Sequence, residues 1–248
     1  MLQRAPGMND ELIRKHEGHV THLTLNRPQK ANALSASLVE ALLNAVEYAY
    51  TDGTRLLIID GAGAHFCSGF DFTDYQAASE GDLALRFLRI ETLLQQVYHA
   101  PFATLAFAHG RVFGAGADLV CACGIRVGAP GAAFRLPGLR FGVVLGTRRL
   151  AHRIGVDDAR AILAASRQFD AEEALALRFL TDLAAQSEWP ALAARMRAQC
   201  ELLAPGSAAA LHRQTTLDSR ADDMAALAAS VSTPGLKERI RRFRESSA

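Results

Sequence analysis

The stretch Pro101 to Asp118, PFATLAFAHGRVFGAGAD, holds the residue types and spacing best suited to chemistry in this chain. Phe102 to Ala108 is apolar apart from Thr104, which predicts a strand covered on both faces. Gly110, Gly114 and Gly116 then permit a tight turn and close approach of backbone to a ligand. From Gly116 onward ADLVCAC suits a helix, so the amides near Ala115 and Gly116 are unpaired donors at a helix N-terminus. Their partial positive charge favours an oxygen that gains negative charge. Asp118 stands in the first turn of that helix, where a carboxyl either moves a proton or compensates the dipole. A second corner lies in HFCSGFDF, residues 65–72, where Ser68-Gly69 gives a flexible backbone and Asp71 a candidate cap. Ser68 lacks a GxSxG elbow, which argues against a nucleophilic role for its hydroxyl. Asp74, Tyr75, His65 and His109 are further acid/base candidates near the two turns.

These turns need a scaffold. His19 to Leu25 alternates apolar and polar residues as a half-buried strand, and Asn26-Arg27-Pro28 is a turn. A helix capped by Ser35 or Ser37 follows, with Leu38, Leu42, Leu43 and Val46 as its apolar stripe and Gly53 closing it. Arg55 to Asp60 is the next strand, and the strand–helix–strand order requires a right-handed crossover with parallel pairing. Asp82 to Tyr98 predicts a long amphipathic helix leading into the Pro101 strand, and Ile125 to Val127 and Ala132 to Leu136 predict short strands before a Pro137-Gly138 turn. Beyond Thr147 the pattern becomes helical, with segments at Asp157–Ala165, Ala171–Leu180, Ser187–Cys200, Ser207–Ser219 and Asp222–Val231 and a basic last helix from about Pro234. The order predicts an α/β fold with a helical C-terminal region.

Composition narrows the partners. The formal charge of +1 gives no bulk attraction to nucleic acid or to a membrane surface. No apolar run approaches the ~20 residues of a membrane helix, and the first residues, MLQRAPGMNDEL, lack a signal-peptide core, which predicts a cytoplasmic protein. Cys67, Cys121, Cys123 and Cys200 have neither zinc nor CxxC spacing and read as reduced core residues. His16, His19 and His22 have no companion ligands, so no metal is expected. A nicotinamide or flavin oxidoreductase is disfavoured, because Gly114-x-Gly116 is followed by Leu119 at the third glycine position.

Five segments, in order, resemble the enoyl-CoA hydratase/isomerase (crotonase) superfamily: LNRPQKANAL at 25–34, HFCSGFDF at 65–72, AHGRVFGAGADL at 108–119, FRLPGLRFGVV at 134–144 and TRRLAHRIG at 147–155. The terminal PGLKERIRRF is similar to that family's last helix. The resemblance implies a crotonase-type ββα spiral core at 1–190 and a helical oligomerisation region at 191–248, assembled as a homotrimer or dimer of trimers. It implies an acyl-CoA thioester as substrate, with coenzyme A part of the substrate and no separate cofactor. The backbone amides of Ser68 and Ala115 are then expected to form an oxyanion hole for a thioester enolate, with Ala115 where many members have Gly. Lys30, Ala31, Gly69, Phe70, Asp71 and Gly114 are expected to contact substrate or CoA, and Arg27 lies in the same segment. Of the two carboxylates that hydratases of the family use, the first position is Asp118, shorter than the usual Glu, and the second is Gly138.

The resemblance implies a lyase (hydratase) or isomerase of fatty acid metabolism. The missing carboxylate points to a divergent member, namely a one-carboxylate isomerase, a decarboxylase or a thioesterase, or to a non-catalytic acyl-CoA-binding protein. Asp71, Asp74, Tyr75 and His65 are the candidates to replace the missing group, and Phe66, Phe70, Phe72 and Phe113 hint at an acyl pocket that accepts aromatic groups.

Overall fold

The computed structural model describes residues 10–204 and 206–246. Strand β1 (Leu12–Glu17) forms an antiparallel hairpin with β2 (Val20–Leu25). Helix α1 (Ala36–Ala49), whose N-cap Ser35 accepts a hydrogen bond from the Leu38 amide at 3.0 Å, leads to β3 (Leu56–Gly61). Helix α2 (Glu80–Tyr98) follows, and its reciprocal Ser79–Asp82 capping box explains why it starts two residues before the expected Asp82. Then come β4 (Ala103–Ala108), β5 (Arg111–Phe113), α3 (Ala115–Ala122), β6 (Ile125–Gly128) and β7 (Ala133–Arg135). The remainder comprises α4 (Thr147–Ile154), α5 (Val156–Ala165), β8 (Gln168–Asp170), α6 (Ala171–Ala176), β9 (Asp182–Leu183), α7 (Trp189–Leu202), α8 (Ser207–Thr215), α9 (Arg220–Ser232) and α10 (Leu236–Glu245).

The main sheet has the order β1-β2-β3-β4-β6-β9, parallel from β2 onward, as the crossover argument requires. Its central strands β3 and β4 are apolar on both faces over Leu56–Ile59 and Leu105–Ala108 because each face has its own core. Leu57, Ile59, Ala106 and Ala108 enter one cluster, while their neighbours Leu56, Ile58, Leu105 and Phe107 pack under Trp189 and Leu192 of α7. A smaller sheet, β5-β7-β8, holds the glycine turns against the chain that follows them.

Four short strands lie outside the sequence expectations. β1 buries only Leu12 fully, so it carries no alternating signal, and β5, β8 and β9 span two or three residues and exist through pairing with distant segments. The helix expected over Ala171–Leu180 ends at Ala176, and Arg178 adopts a left-handed φ of 63°. The C-terminal helices share the sheet's core: Leu227 and Val231 of α9 and Leu236 and Ile240 of α10 lie in the same cluster as β3 and β4. All four cysteines are free, and burial pushes the Cys67 and Cys123 thiols up to about 12, which removes them as nucleophiles at neutral pH. Among the described residues no helix is long and apolar enough to cross a membrane.

Candidate active site

Two backbone corners meet at the end of β5. In the first, Leu34 N donates to Gly69 O at 2.7 Å and Asp71 N donates to Leu34 O at 3.2 Å, which seats residues 69–71 beside Leu34 as a parallel bridge. In such a bridge the amide of the middle residue, Phe70, faces the opposite edge, and it makes no hydrogen bond among the described residues. The Ser68 amide is different: it donates to Ala31 O at 2.9 Å. The expectation that Ser68 supplies a free donor is thereby corrected, and the open amide of this corner is that of Phe70.

The second corner is Gly114, with φ 51° and ψ −130°, a conformation that favours glycine, immediately before α3. Its amide is bonded to Arg135 O at 2.7 Å, whereas the Ala115 amide, first of the helix, has no partner among the described residues. Glycines permit the two corners to touch. A methyl at Gly69, where φ is 91°, would stand 2.7 Å from Phe113 O and 3.2 Å from Ala115 N, and one at Gly116 would stand 2.6 Å from Cys67 O.

A cleft of about 560 Å³ opens at these amides, lined by Phe70, Ala115, Asp118, Leu136, Phe141 and Phe243 among others. Asp118 is the only carboxyl group on its lining among the described residues. Its side chain is buried and Oδ1 has no hydrogen-bond partner among the described residues. Burial pushes its carboxyl up to about 8, opposed by the positive Arg149 and reinforced by Glu91. Arg149 does not bond to Asp118. It is held by Glu91 at 2.8 Å and Asp223 at 3.3 Å, and all three of these charged side chains are buried. At neutral pH Asp118 is therefore mostly a protonated acid. The chain passes Oδ1 at Gly146, where φ is 65° and a methyl would overlap that oxygen.

The Gly138 position has no room for a side chain. Val143 N donates to Gly138 O at 2.9 Å, closing the 138–143 turn, and a methyl at Gly138 would stand 2.9 Å from Val143 O. A side chain at Gly138 therefore requires the backbone at Val143 to move. Gly138→Glu is expected to destabilise the fold by ~1–3 kcal/mol through overpacking, measured by denaturant unfolding, and to give no hydration of a 2-enoyl-CoA.

The other candidates do not converge on the cleft. Asp71 accepts hydrogen bonds from Thr73 N and Oγ1, at 2.9 and 2.6 Å, and pairs with Arg27 at 2.9 Å. It is buried and off the cleft lining, where it clamps the 71–73 turn to Arg27. Arg27 is committed as well, to Glu11 at 2.7 Å and to Asp71, which removes it as a ligand for CoA phosphates. Tyr75 is buried under Arg244, whose guanidinium lies 5.2 Å from the ring centroid. His65 Nδ1 accepts from Arg111 N at 3.2 Å, and His109 bonds Gly63 O at 3.0 Å. Asp74 is absent from the lining. Lys30 is exposed at the end of the 28–30 turn, and Ala31, with φ 47°, turns the chain back toward Ser68.

Sequence reasoning missed Asn32. Fully buried, it donates to Ala62 O at 2.9 Å and His65 O at 2.7 Å and accepts from Arg27 N at 2.8 Å, tying the 28–31 turn to the loop after β3. An Asn inside a turn-rich segment, tolerant of the left-handed φ of 53° seen here, was the available signal.

A mostly parallel sheet whose connecting turns bring two open backbone amides and one carboxyl to an apolar cleft defines the class. The chain belongs to the enoyl-CoA hydratase/isomerase family, whose model matches residues 15–242. It is similar to a Bordetella parapertussis protein of known crystal structure that carries the family's name, at 49% identity and TM-score 0.94, covering 95% of this chain and 99% of that one. It is 34% identical over 160 residues to the Mycobacterium bovis protein named "Probable enoyl-CoA hydratase echA6", a match spanning 63% of each chain. The mouse ethylmalonyl-CoA decarboxylase is 34% identical over 182 residues, 71% of this chain and 56% of the relative. The chain thus spans less than two thirds of the length of these two relatives.

Proposed function

We propose that the protein is an acyl-CoA enzyme that protonates a thioester enolate with one carboxyl group, and that its reaction is decarboxylation of a 2-carboxyacyl-CoA. The observation that carries this reading is the solitary, protonated Asp118. Hydration requires both a base for water and an acid for the α-carbon, and the cleft offers one group. Decarboxylation requires only the acid. The bond from the α-carbon to the substrate carboxyl breaks, carbon dioxide leaves, and the electron pair becomes the enolate. The Phe70 and Ala115 amides serve as the oxyanion hole for the enolate oxygen, and Asp118 passes its proton to the α-carbon and regains one from water. A neutral Asp118 does not repel the substrate carboxylate, and among the described residues no cation on the lining stabilises that charge against leaving as neutral carbon dioxide. The likeness to a decarboxylase supports the same class.

Lys30 and Ala31 are proposed to receive the CoA portion of the substrate, with Gly69 and Gly114 keeping the approach to the donors open. The assembly proposed is a homotrimer or dimer of trimers.

Double-bond isomerisation is the second reading, favoured because a carboxyl titrating near 8 leaves about a tenth of molecules ionised near pH 7, able to remove a proton before returning it. Incubation in D2O with ethylmalonyl-CoA, a 3-enoyl-CoA and a 2-enoyl-CoA separates the reactions. The expected result is loss of carbon dioxide with one deuterium at the α-carbon and no fall in the 2-enoyl absorbance. A rise in conjugated-thioester absorbance from the 3-enoyl-CoA assigns isomerisation instead. Loss of the 2-enoyl absorbance with formation of 3-hydroxyacyl-CoA would overturn the single-carboxyl mechanism.

A further inference from the structure

We infer that the cleft is built for a compact acyl group, filled best by an aryl ring, and that Phe243 on α10 sets where the acyl group must end; this rests on the acyl-CoA reading above. The lining carries a relay of rings leading away from the free amides. Phe70, which bears one of those amides, stacks on Phe87 with centroids 4.2 Å apart and planes at 17°. Phe87 meets Phe141 at 6.3 Å, and Phe141 meets Phe243 at 4.9 Å. Phe72 flanks the relay, 5.0 Å from Phe70 and 6.1 Å from Phe141. Phe243 is the last ring in this series and comes from the final helix rather than from the walls of the turns. An aryl group that packs beside these rings gains the offset or edge-on contacts that aromatic pairs prefer, which a flexible alkyl chain does not make.

Helix α10 is fastened in place. The Glu80 carboxylate accepts from Gly235 N at 3.2 Å and Lys237 N at 3.1 Å, at the start of the helix. Midway, Arg239 donates to Phe141 O at 2.8 Å and Gly142 O at 3.1 Å, fixing the 138–141 turn, and also to Ser230 O at 3.1 Å. Near its end, Arg244 lies 6.0 Å from the Phe72 ring centroid. Phe243 is thus held against Phe141 by anchors on both sides, and a long chain has to displace packed rings rather than enter an open groove.

In an open apolar groove each added methylene strengthens binding by about fourfold. Calorimetric titration of the full chain with butyryl-, octanoyl-, dodecanoyl- and phenylacetyl-CoA reads whether that ladder breaks. The expected result is phenylacetyl-CoA bound at least tenfold more tightly than dodecanoyl-CoA. Phe243→Ala is expected to narrow this ratio at least tenfold while butyryl-CoA stays within about threefold, and Phe243→Trp to weaken octanoyl-CoA. Phe243→Leu, with an intermediate ratio expected, carries the test if the alanine variant does not fold. Equal binding of dodecanoyl- and phenylacetyl-CoA by the wild type, or an unchanged ratio in the folded variants, would overturn the inference. Failure of every ester to bind better than free CoA would instead remove the acyl-CoA reading itself.

Discussion

Asp118→Asn is expected to lower turnover of the substrate thioester by ~10²–10⁴-fold, the usual contribution of a positioned general acid, with little change in the affinity for the acyl-CoA. The amide keeps the shape of the carboxyl but has no proton acidic enough to give to carbon. In steady-state kinetics kcat falls and KM holds. A variant with undiminished kcat would show that the enolate takes its proton from elsewhere. In the wild type the active form is the protonated one, so kcat/KM is level at neutral pH and falls as pH rises through about 8. The same residue shapes stability. In the unfolded chain its carboxyl ionises near 3.8, while in the native state it keeps its proton to about 8. Between these values the native state holds more protons than the unfolded state, so this residue's contribution to stability falls with rising pH and levels off above about 8. Asp118→Asn removes that slope. Relative to the wild type it becomes more stable as pH rises from 4 to 8, measured by urea unfolding across that range.

Gly69→Ala is expected to abolish most of the activity by a different route. At φ 91° any side chain is strained, and the new methyl stands 3.2 Å from the Ala115 amide, directly in the approach to that donor. Loss of one oxyanion donor typically lowers kcat by ~10²–10³-fold, and displacement of Phe113 O, 2.7 Å from the same methyl, adds disorder to the second corner. The informative comparison is with Asp118→Asn under D2O exchange at the α-carbon of a saturated acyl-CoA. Both variants lose exchange, but Gly69→Ala also weakens binding of an enolate-mimicking CoA ester, whereas Asp118→Asn retains it. Unchanged binding of such a mimic by a folded Gly69→Ala protein would remove the Ala115 amide from the oxyanion site.

The legible parts of this site were those in which a local rule acts alone. Gly69 and Gly114 were recognisable as backbone corners, and both have positive φ, a preference of the residue itself. The apolar Phe102–Ala108 run identified a strand buried on both faces, and α3 begins at Ala115 as its sequence suggests. The reading went astray where two candidates were locally equivalent. Ser68 and Phe70 flank the same corner glycine, and nothing in HFCSGFDF distinguishes their amides. Asp71 and Arg27 each looked available to substrate until the fold placed them 2.9 Å apart.

The sequence by itself determined the parallel α/β order, the glycine turns before a helix N-terminus, and the presence of Asp118 with no carboxylate at Gly138, because these follow from residue type and near-neighbour spacing. The tertiary structure alone decided three things. Ala31 O, reaching from the 28–31 turn, occupies the Ser68 amide and leaves that of Phe70 free. Glu91 and Asp223 hold Arg149 away from bonding to Asp118, so burial prevails and the carboxyl keeps its proton. The carbonyl of Val143 fills the space beside Gly138. Hydrogen-bond partnership, desolvation and steric room act through space, and the groups that set them here come from segments far apart in the chain.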